Sequence, residues 1–248
     1  VMGGEGKYEI PAVMISQELG TIFKQNLAAG LPVDVDFKTS EKMEKPNLID
    51  TLTSFSSKGP RSLDGFFKPE ISAPGSSVIS AAMGEGNKSV KMSGTSMAGP
   101  HIAGVMALLK QKRSDLPVAD LKSLLMGHAL DIKDEKGVPY KLSEQGAGRV
   151  QVIESLNGSL VSSMGAFSLG ILSMETTKVI RQEVTLKNVS AAELTVATEL
   201  VAKSELQLLN PVTVTLKPNE SKKISLKFKV NATAFKEPMT EVEGRLLF

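Results

Sequence analysis

From Met97 to Leu109 the chain reads Met-Ala-Gly-Pro-His-Ile-Ala-Gly-Val-Met-Ala-Leu-Leu, apolar on nearly every face of a helix. A helix of that kind has no solvent side, so the fold must wrap it in other elements inside a domain. Ala98, Gly99, Ala103 and Gly104 are small enough to let those neighbours come close. Just upstream, Gly94 allows a sharp turn out of the preceding extended run and Thr95 is a favoured N-cap type, which predicts a helix starting at or just before Ser96. Pro100 is then expected in the first turn, where its missing N–H costs little. A serine at such a helix start presents its Oγ where unpaired N–H groups and the positive end of the dipole gather, a setting that suits a developing oxyanion. The plainer reading of Ser96 by itself is a helix cap.

A serine hydroxyl is a weak nucleophile until a base takes its proton, and the chain has only two histidines, His101 and His128. On a helix, His101 lies roughly 140° around the axis and about 7.5 Å along it from Ser96, so it points away and is expected to be a buried or half-buried packing residue. His128 follows the helix-like run Leu121-Lys122-Ser123-Leu124-Leu125-Met126-Gly127 and is also read as structural. Neither Ser93 nor Ser96 has a lysine three residues on, which excludes the Ser-x-x-Lys type of nucleophile.

The run Ser93-Gly94-Thr95-Ser96-Met97-Ala98-Gly99-Pro100-His101 resembles the nucleophile segment of the subtilisin-like serine proteases, Gly-Thr-Ser-Met-Ala-x-Pro-His. Upstream, Leu52-Thr-Ser-Phe-Ser-Ser-Lys-Gly-Pro-Arg61 and Phe67-Lys-Pro-Glu-Ile-Ser-Ala-Pro-Gly75 are similar to the family stretch that leads toward that serine, and Gly146-Ala147-Gly148-Arg149-Val150 is similar to its closing segment. The resemblance implies that Ser96 is the nucleophile, that Gly94, Thr95 and Ser96 form the nucleophile turn, and that the Ser96 N–H and Thr95 hydroxyl help stabilise the oxyanion. It also implies an acid and a base earlier in the chain, in the order Asp, His, Ser. Nothing in residues 1–90 resembles either segment. The expectation is therefore the C-terminal half of a secreted or cell-envelope serine endopeptidase acting on protein or peptide substrates. The missing N-terminal half of the same polypeptide would supply the Asp, the His and the oxyanion Asn, and this chain alone is expected to be inactive. The competing function class is a non-catalytic module, either a degenerate protease or a β-sandwich binding protein.

The expected fold class is α/β, the C-terminal half of a subtilisin-like parallel-sheet domain, joined to an all-β antiparallel sandwich. Residues 1–38 read as strand, amphipathic helix and strand: Ile10–Ile15 is an apolar run, Ile22, Phe23 and Leu27 fall at helical spacing, and Val33, Val35 and Phe37 alternate. They resemble the C-terminal part of a protease-associated insertion. Residues 39–160 are expected to be the half catalytic domain, opening on a charged connection that contains Pro46. Residues 164–248 turn to strands, expected at 179–189, 194–201, 212–216 and 224–230, with Ile224, Leu226, Phe228 and Val230 alternating with Ser225, Lys227 and Lys229. They resemble a fibronectin-type domain.

Composition excludes several classes. Twenty-nine basic against 27 acidic residues give a net charge of +2 with no basic stripe, which argues against nucleic acid. The absence of cysteine removes disulfides, thiolate metal sites and cysteine nucleophiles. No apolar run approaches the ~18 residues of a membrane span. No cofactor is indicated. Calcium enters by family resemblance alone; Asp131, Asp134 and Glu135 are the notable carboxylate cluster, but their spacing matches no ligand loop and reads as a solvated turn.

Overall fold

The computed structural model describes residues 15–35, 46–172, 176–231 and 240–248. The strand expected at Ile10–Ile15 lies outside them except for Ile15, as does Phe37 of the second expected strand. The chain divides into two units, residues 1–45 and 46–248. In the first, α1 (Gln17–Ala28) begins at Ser16, whose Oγ accepts from the Leu19 N–H at 3.1 Å, and carries Glu18 in its first turn, where the dipole favours a carboxylate. It ends where Gly30, at φ 73°, lets the Leu31 N–H turn back to the Asn26 carbonyl at 2.9 Å. No residue of α1 is buried, and residues 31–35 form no strand, so the expected second strand is absent there.

The second unit holds two apolar cores. The first is built by α2 (Thr95–Lys112), α3 (Val118–Gly127), α5 (Val152–Asn157) and β3 (Leu160–Ser162), and centres on Leu109, Leu116, Leu121, Leu124, Leu125, Val150 and Val161. In α3, Leu121, Leu124 and Leu125 recur at three and four residues, which is the stripe that faces this core. In α2 only Val105 and Leu109, four residues apart, are buried. Ile102 and Met106 are half-buried against the same core, while Ala103, Gly104, Ala107 and Leu108 are exposed, contrary to the expectation of a helix enclosed on all sides.

The second core joins a four-stranded antiparallel sheet to two shorter pairs. The sheet runs β3, β4 (Lys178–Asn188), β9 (Ser221–Val230), β7 (Leu206–Leu208); the pairs are β5 (Leu194–Ala197) with β8 (Thr213–Leu216), and β6 (Glu199–Ala202) with β10 (Gly244–Leu247). In β9, Ile224, Leu226, Phe228 and Val230 all turn inward, while Ser221, Lys223 and Ser225 face solvent, as the alternation requires. Val184 stands opposite Ile224 on β4 and is fully buried. The expected strand over 194–201 is split at Thr198. There the Thr198 N–H donates to the Val212 carbonyl at 2.9 Å and Thr198 Oγ1 accepts from the Val212 N–H at 2.8 Å, so the chain leaves one partner strand and takes up another. β3, β7 and β10, of three or four residues each, fall below what alternation can signal. Every strand pairing among the described residues is antiparallel, apart from a parallel bridge between Ser72 and Arg149.

The two cores are tied together by polar contacts. Arg113 donates to the carbonyls of Gly158 (3.3 Å) and Val189 (3.0 Å), and Lys187 pairs with Asp120 at 3.4 Å. Glu243 accepts from the Leu142 N–H at 2.6 Å, and Arg245 reaches both the Ala147 carbonyl (3.1 Å) and Asp131.

Candidate active site

Ser96 is the second residue of α2 and is exposed. The N-cap is Gly94, one residue earlier than expected; Thr95 already has helical geometry, so its hydroxyl is not placed to cap, and Gly94 has no side chain that could. The first turn closes through the Met97 N–H to the Gly94 carbonyl at 3.0 Å. The N–H groups of the first turn therefore have no side-chain cap, and that of Ser96 lies at the same helix end as its Oγ. Pro100 is the sixth helical residue rather than a member of the first turn. Its missing N–H is the one that an uninterrupted helix would give to the Ser96 carbonyl.

The turn itself is shaped differently from the expectation. Gly94 is extended, at φ 161° and ψ 162°, and a Cβ there would meet nothing closer than 3.7 Å. The glycine that the turn requires is Gly75, where a Cβ would stand 2.8 Å from the Gly94 carbonyl oxygen and 3.3 Å from the Ala98 Cβ. The Gly94 N–H donates to the Gly75 carbonyl at 2.8 Å, and Ser93 Oγ accepts from the Ser77 N–H at 2.8 Å. Ser77 and Ser93 thus close the base of the hairpin formed by β1 (Val78–Ala81) and β2 (Ser89–Met92), in which Val78 faces Met92. Sequence reasoning missed both serines. Their signal, two small polar residues flanking short strands that face each other, is weak until the register is known.

Behind Gly75, residues 70–73 are strapped to the segment ending at Val150. The Ser72 N–H donates to Gly148 O (2.8 Å), its carbonyl accepts from Val150 (2.9 Å) and its hydroxyl donates to Gln145 O (2.8 Å). Gly146 is required here by its φ of 68° and by the backbone of Glu70, which a Cβ would meet at 2.6 Å. Gln145 is buried with both ends used, donating to Tyr140 O and accepting from the Ile132 N–H. Burial pushes Glu70 up, yet the ammonium groups of Lys122 and Lys68 outweigh it and hold the carboxyl below its ordinary range.

Neither imidazole is seen hydrogen-bonded to Ser96. His101 is exposed, not packed as expected, because it lies on the open side of α2, and its Nδ1 sits 3.2 Å from the Met97 carbonyl. His128 is half-buried, with Nδ1 2.8 Å from the Leu124 carbonyl, and lines a cavity of about 380 Å³ with Asn157, Gly158 and Phe248. Two of the three carboxylates considered for calcium already have partners. Asp131 pairs with Arg245, and Asp134 Oδ1 accepts from the N–H groups of Lys136 and Val138, which is turn chemistry. Among the described residues no three acidic or imidazole side chains converge on one point.

The sequence segments that build this turn and its straps, from residue 39 to residue 148, match the family model described as the subtilase family. Residues 39–148 belong to the subtilase family. Three relatives extend the likeness of this subtilase segment. The minor extracellular protease Vpr of Bacillus subtilis is 31% identical over 192 residues, 73% of this chain and 23% of the relative. The subtilisin-like protease SBT3.6 of Arabidopsis thaliana is 33% identical over 63% of this chain and 22% of the relative. The C5a peptidase of Streptococcus pyogenes is 34% identical over 57% and 12%. All three are named as proteases or peptidases, and the chain spans less than a quarter of the length of each. No helix among the described residues is long and apolar enough to cross a membrane.

Proposed function

We propose that this chain is the nucleophile-bearing part of a secreted subtilisin-like serine endopeptidase, with Ser96 as the nucleophile. The observation that carries the reading is the exposed Ser96 hydroxyl beside uncapped N–H groups at the start of α2, inside a segment of the subtilase family. In this reading Ser96 Oγ attacks the scissile carbonyl of a peptide, and its proton passes to a base and then to the leaving amine. Water resolves the acyl-enzyme by the same route in reverse. The Ser96 N–H and the Thr95 hydroxyl aid the oxyanion. The base, its orienting carboxylate and an oxyanion Asn come from residues outside this chain, because both imidazoles here are turned onto their own helices. By itself the chain is inactive. Residues 1–38 are read as the end of a protease-associated insertion, 39–160 as half of the catalytic domain and 164–248 as a fibronectin-type sandwich acting as a spacer.

The same imidazole positions favour a second reading, a non-catalytic module. One comparison separates the two. In the protein made from its natural reading frame, Ser96→Ala is expected to abolish hydrolysis of a peptide substrate and labelling by a fluorophosphonate, with the fold unchanged by circular dichroism. Near-normal turnover by Ser96→Ala overturns Ser96 as the nucleophile, and no hydrolysis by the unsubstituted protein favours the module.

A further inference from the structure

Among the described residues, the hydroxyl of Ser93 is a side-chain group that ties the Ser96 turn to the loop behind it. Its Oγ accepts the Ser77 N–H at 2.8 Å, one step beyond the Val78–Met92 pair that ends the β1–β2 ladder. Ser77 stands at φ 55°, a left-handed conformation that a serine adopts only when its surroundings impose it. Parallel to this bond runs the Gly94 N–H to the Gly75 carbonyl, also 2.8 Å, and Gly75 sits where any Cβ would meet the Gly94 carbonyl oxygen and the Ala98 side chain. Two hydrogen bonds therefore hold two successive residues, Ser93 and Gly94, just ahead of Ser96. The α2 helix anchors to the core further along, at the half-buried Ile102 and at the buried Val105 and Leu109. Ser93 and Ser77 are both exposed, so loss of the hydroxyl leaves the Ser77 N–H to water and the global fold standing.

We propose that Ser93 is a positioning residue. It acts through the Ser77 N–H to fix the turn from which Ser96 Oγ is presented, rather than through substrate. The proposal rests on the endopeptidase reading above. A turn that wanders by even an ångström lowers the fraction of Ser96 hydroxyls in attacking geometry, which lowers kcat and leaves substrate affinity alone.

The test uses Ser93→Ala, Ser93→Thr and Ser96→Ala in the protein made from its natural reading frame. Ser93→Ala is expected to lower kcat about tenfold with KM within about twofold of the unsubstituted protein, and Ser93→Thr, which restores the acceptor, to return kcat to within about threefold. Hydrogen exchange at the Ser77 and Gly94 amides should quicken about tenfold in Ser93→Ala, with the amides of Leu109 and Leu124 unchanged. Unchanged exchange at Ser77 and Gly94 overturns the proposal. So does a kcat within about twofold of normal despite faster exchange, or a loss that lies wholly in KM. Equal hydrolysis by the unsubstituted protein and by Ser96→Ala overturns the endopeptidase reading instead, while the exchange comparison still decides whether Ser93 holds this turn.

Discussion

A backbone oxygen limits what can stand at position 75. The Gly94 carbonyl would lie 2.8 Å from a Cβ there, and a main-chain atom in a hydrogen-bonded turn cannot swing aside as a flexible side-chain end can. Gly75→Ala is therefore expected to displace the Ser96 turn, costing about 1–3 kcal/mol in urea unfolding and lowering fluorophosphonate labelling of the active protein about tenfold or more. Gly94→Ala, whose Cβ would make only ordinary van der Waals contact at 3.7 Å, should cost less than Gly75→Ala in both assays. A second residue-scale prediction concerns charge. The Arg61 guanidinium hydrogen-bonds Asp64 and holds its carboxyl down to about 2, aided by the Phe66 N–H and opposed by partial desolvation. A depressed folded value means that the pair contributes above the ordinary carboxylate pKa of about 3.9 and is lost as pH falls from there through about 2. In Arg61→Gln the Asp64 carboxyl carbon, followed by NMR, should titrate close to the ordinary value; an unchanged midpoint would show that Arg61 is not the cause. At this scale Ser96 was legible because a dense local motif surrounds it. Ser93, Ser77 and Gly75 were not, because their roles exist only across the hairpin.

Two neighbouring leucines show what a helix in this chain can and cannot do. Leu109 of α2 is 0% exposed and Leu108 is 49% exposed, yet in sequence both belong to one apolar run. Leu109→Ala should cost about 2–5 kcal/mol by chemical denaturation and Leu108→Ala less than about 1, because only the first leaves a cavity. Equal losses would mean that Leu108 is covered in solution. In the sheet, Leu226→Ala is expected to match Leu109→Ala, since Leu226 is also fully buried between β4 and β7. Element type was readable where the period was long and clear, as in α3 and β9. The interruption at Thr198 was not, because a chain that changes partner keeps its alternation while the ladder breaks.

At the scale of the whole molecule, the junction between the two cores carries a pH dependence. Burial beside α4 (Leu142–Gln145) pushes the Glu243 carboxyl above its ordinary value, with the nearby Glu241 adding to the rise and the Leu142 N–H, Lys141 and Lys203 opposing it. A raised folded value means that the group's contribution is full below its unfolded pKa and is lost as pH rises through the folded one. Glu243→Gln keeps an acceptor for the Leu142 N–H and removes the ionisation, so it should raise Tm on the order of 1–2 °C at pH 7 and not at pH 4, a small effect because the site is partly open to solvent. A lower Tm at pH 7 would show that the charge itself holds the junction. Hydrogen exchange should divide the molecule as well: amides of β4 and β9 slow, those of α2 before Val105 fast, as their burial differs.

The sequence by itself determined element type where the period was clear, as in α3 and β9, and it singled out Ser96, because both signals are local and need no partner. It also carried the balance of charge and the absence of cysteine chemistry. Only the tertiary structure decided that α2 buries a single stripe, that His101 and His128 turn onto their own helices, and that Gly75 rather than Gly94 is the glycine the turn cannot lose. Each of those depends on what stands a few ångströms away across the fold, and residues such as Gly75 and Gly94, or Ser77 and Ser93, lie 16 to 19 positions apart in the chain. Their meeting is set by the closure of a hairpin and the strapping of residues 70–73 to Val150, neither of which has a local sequence period to announce it.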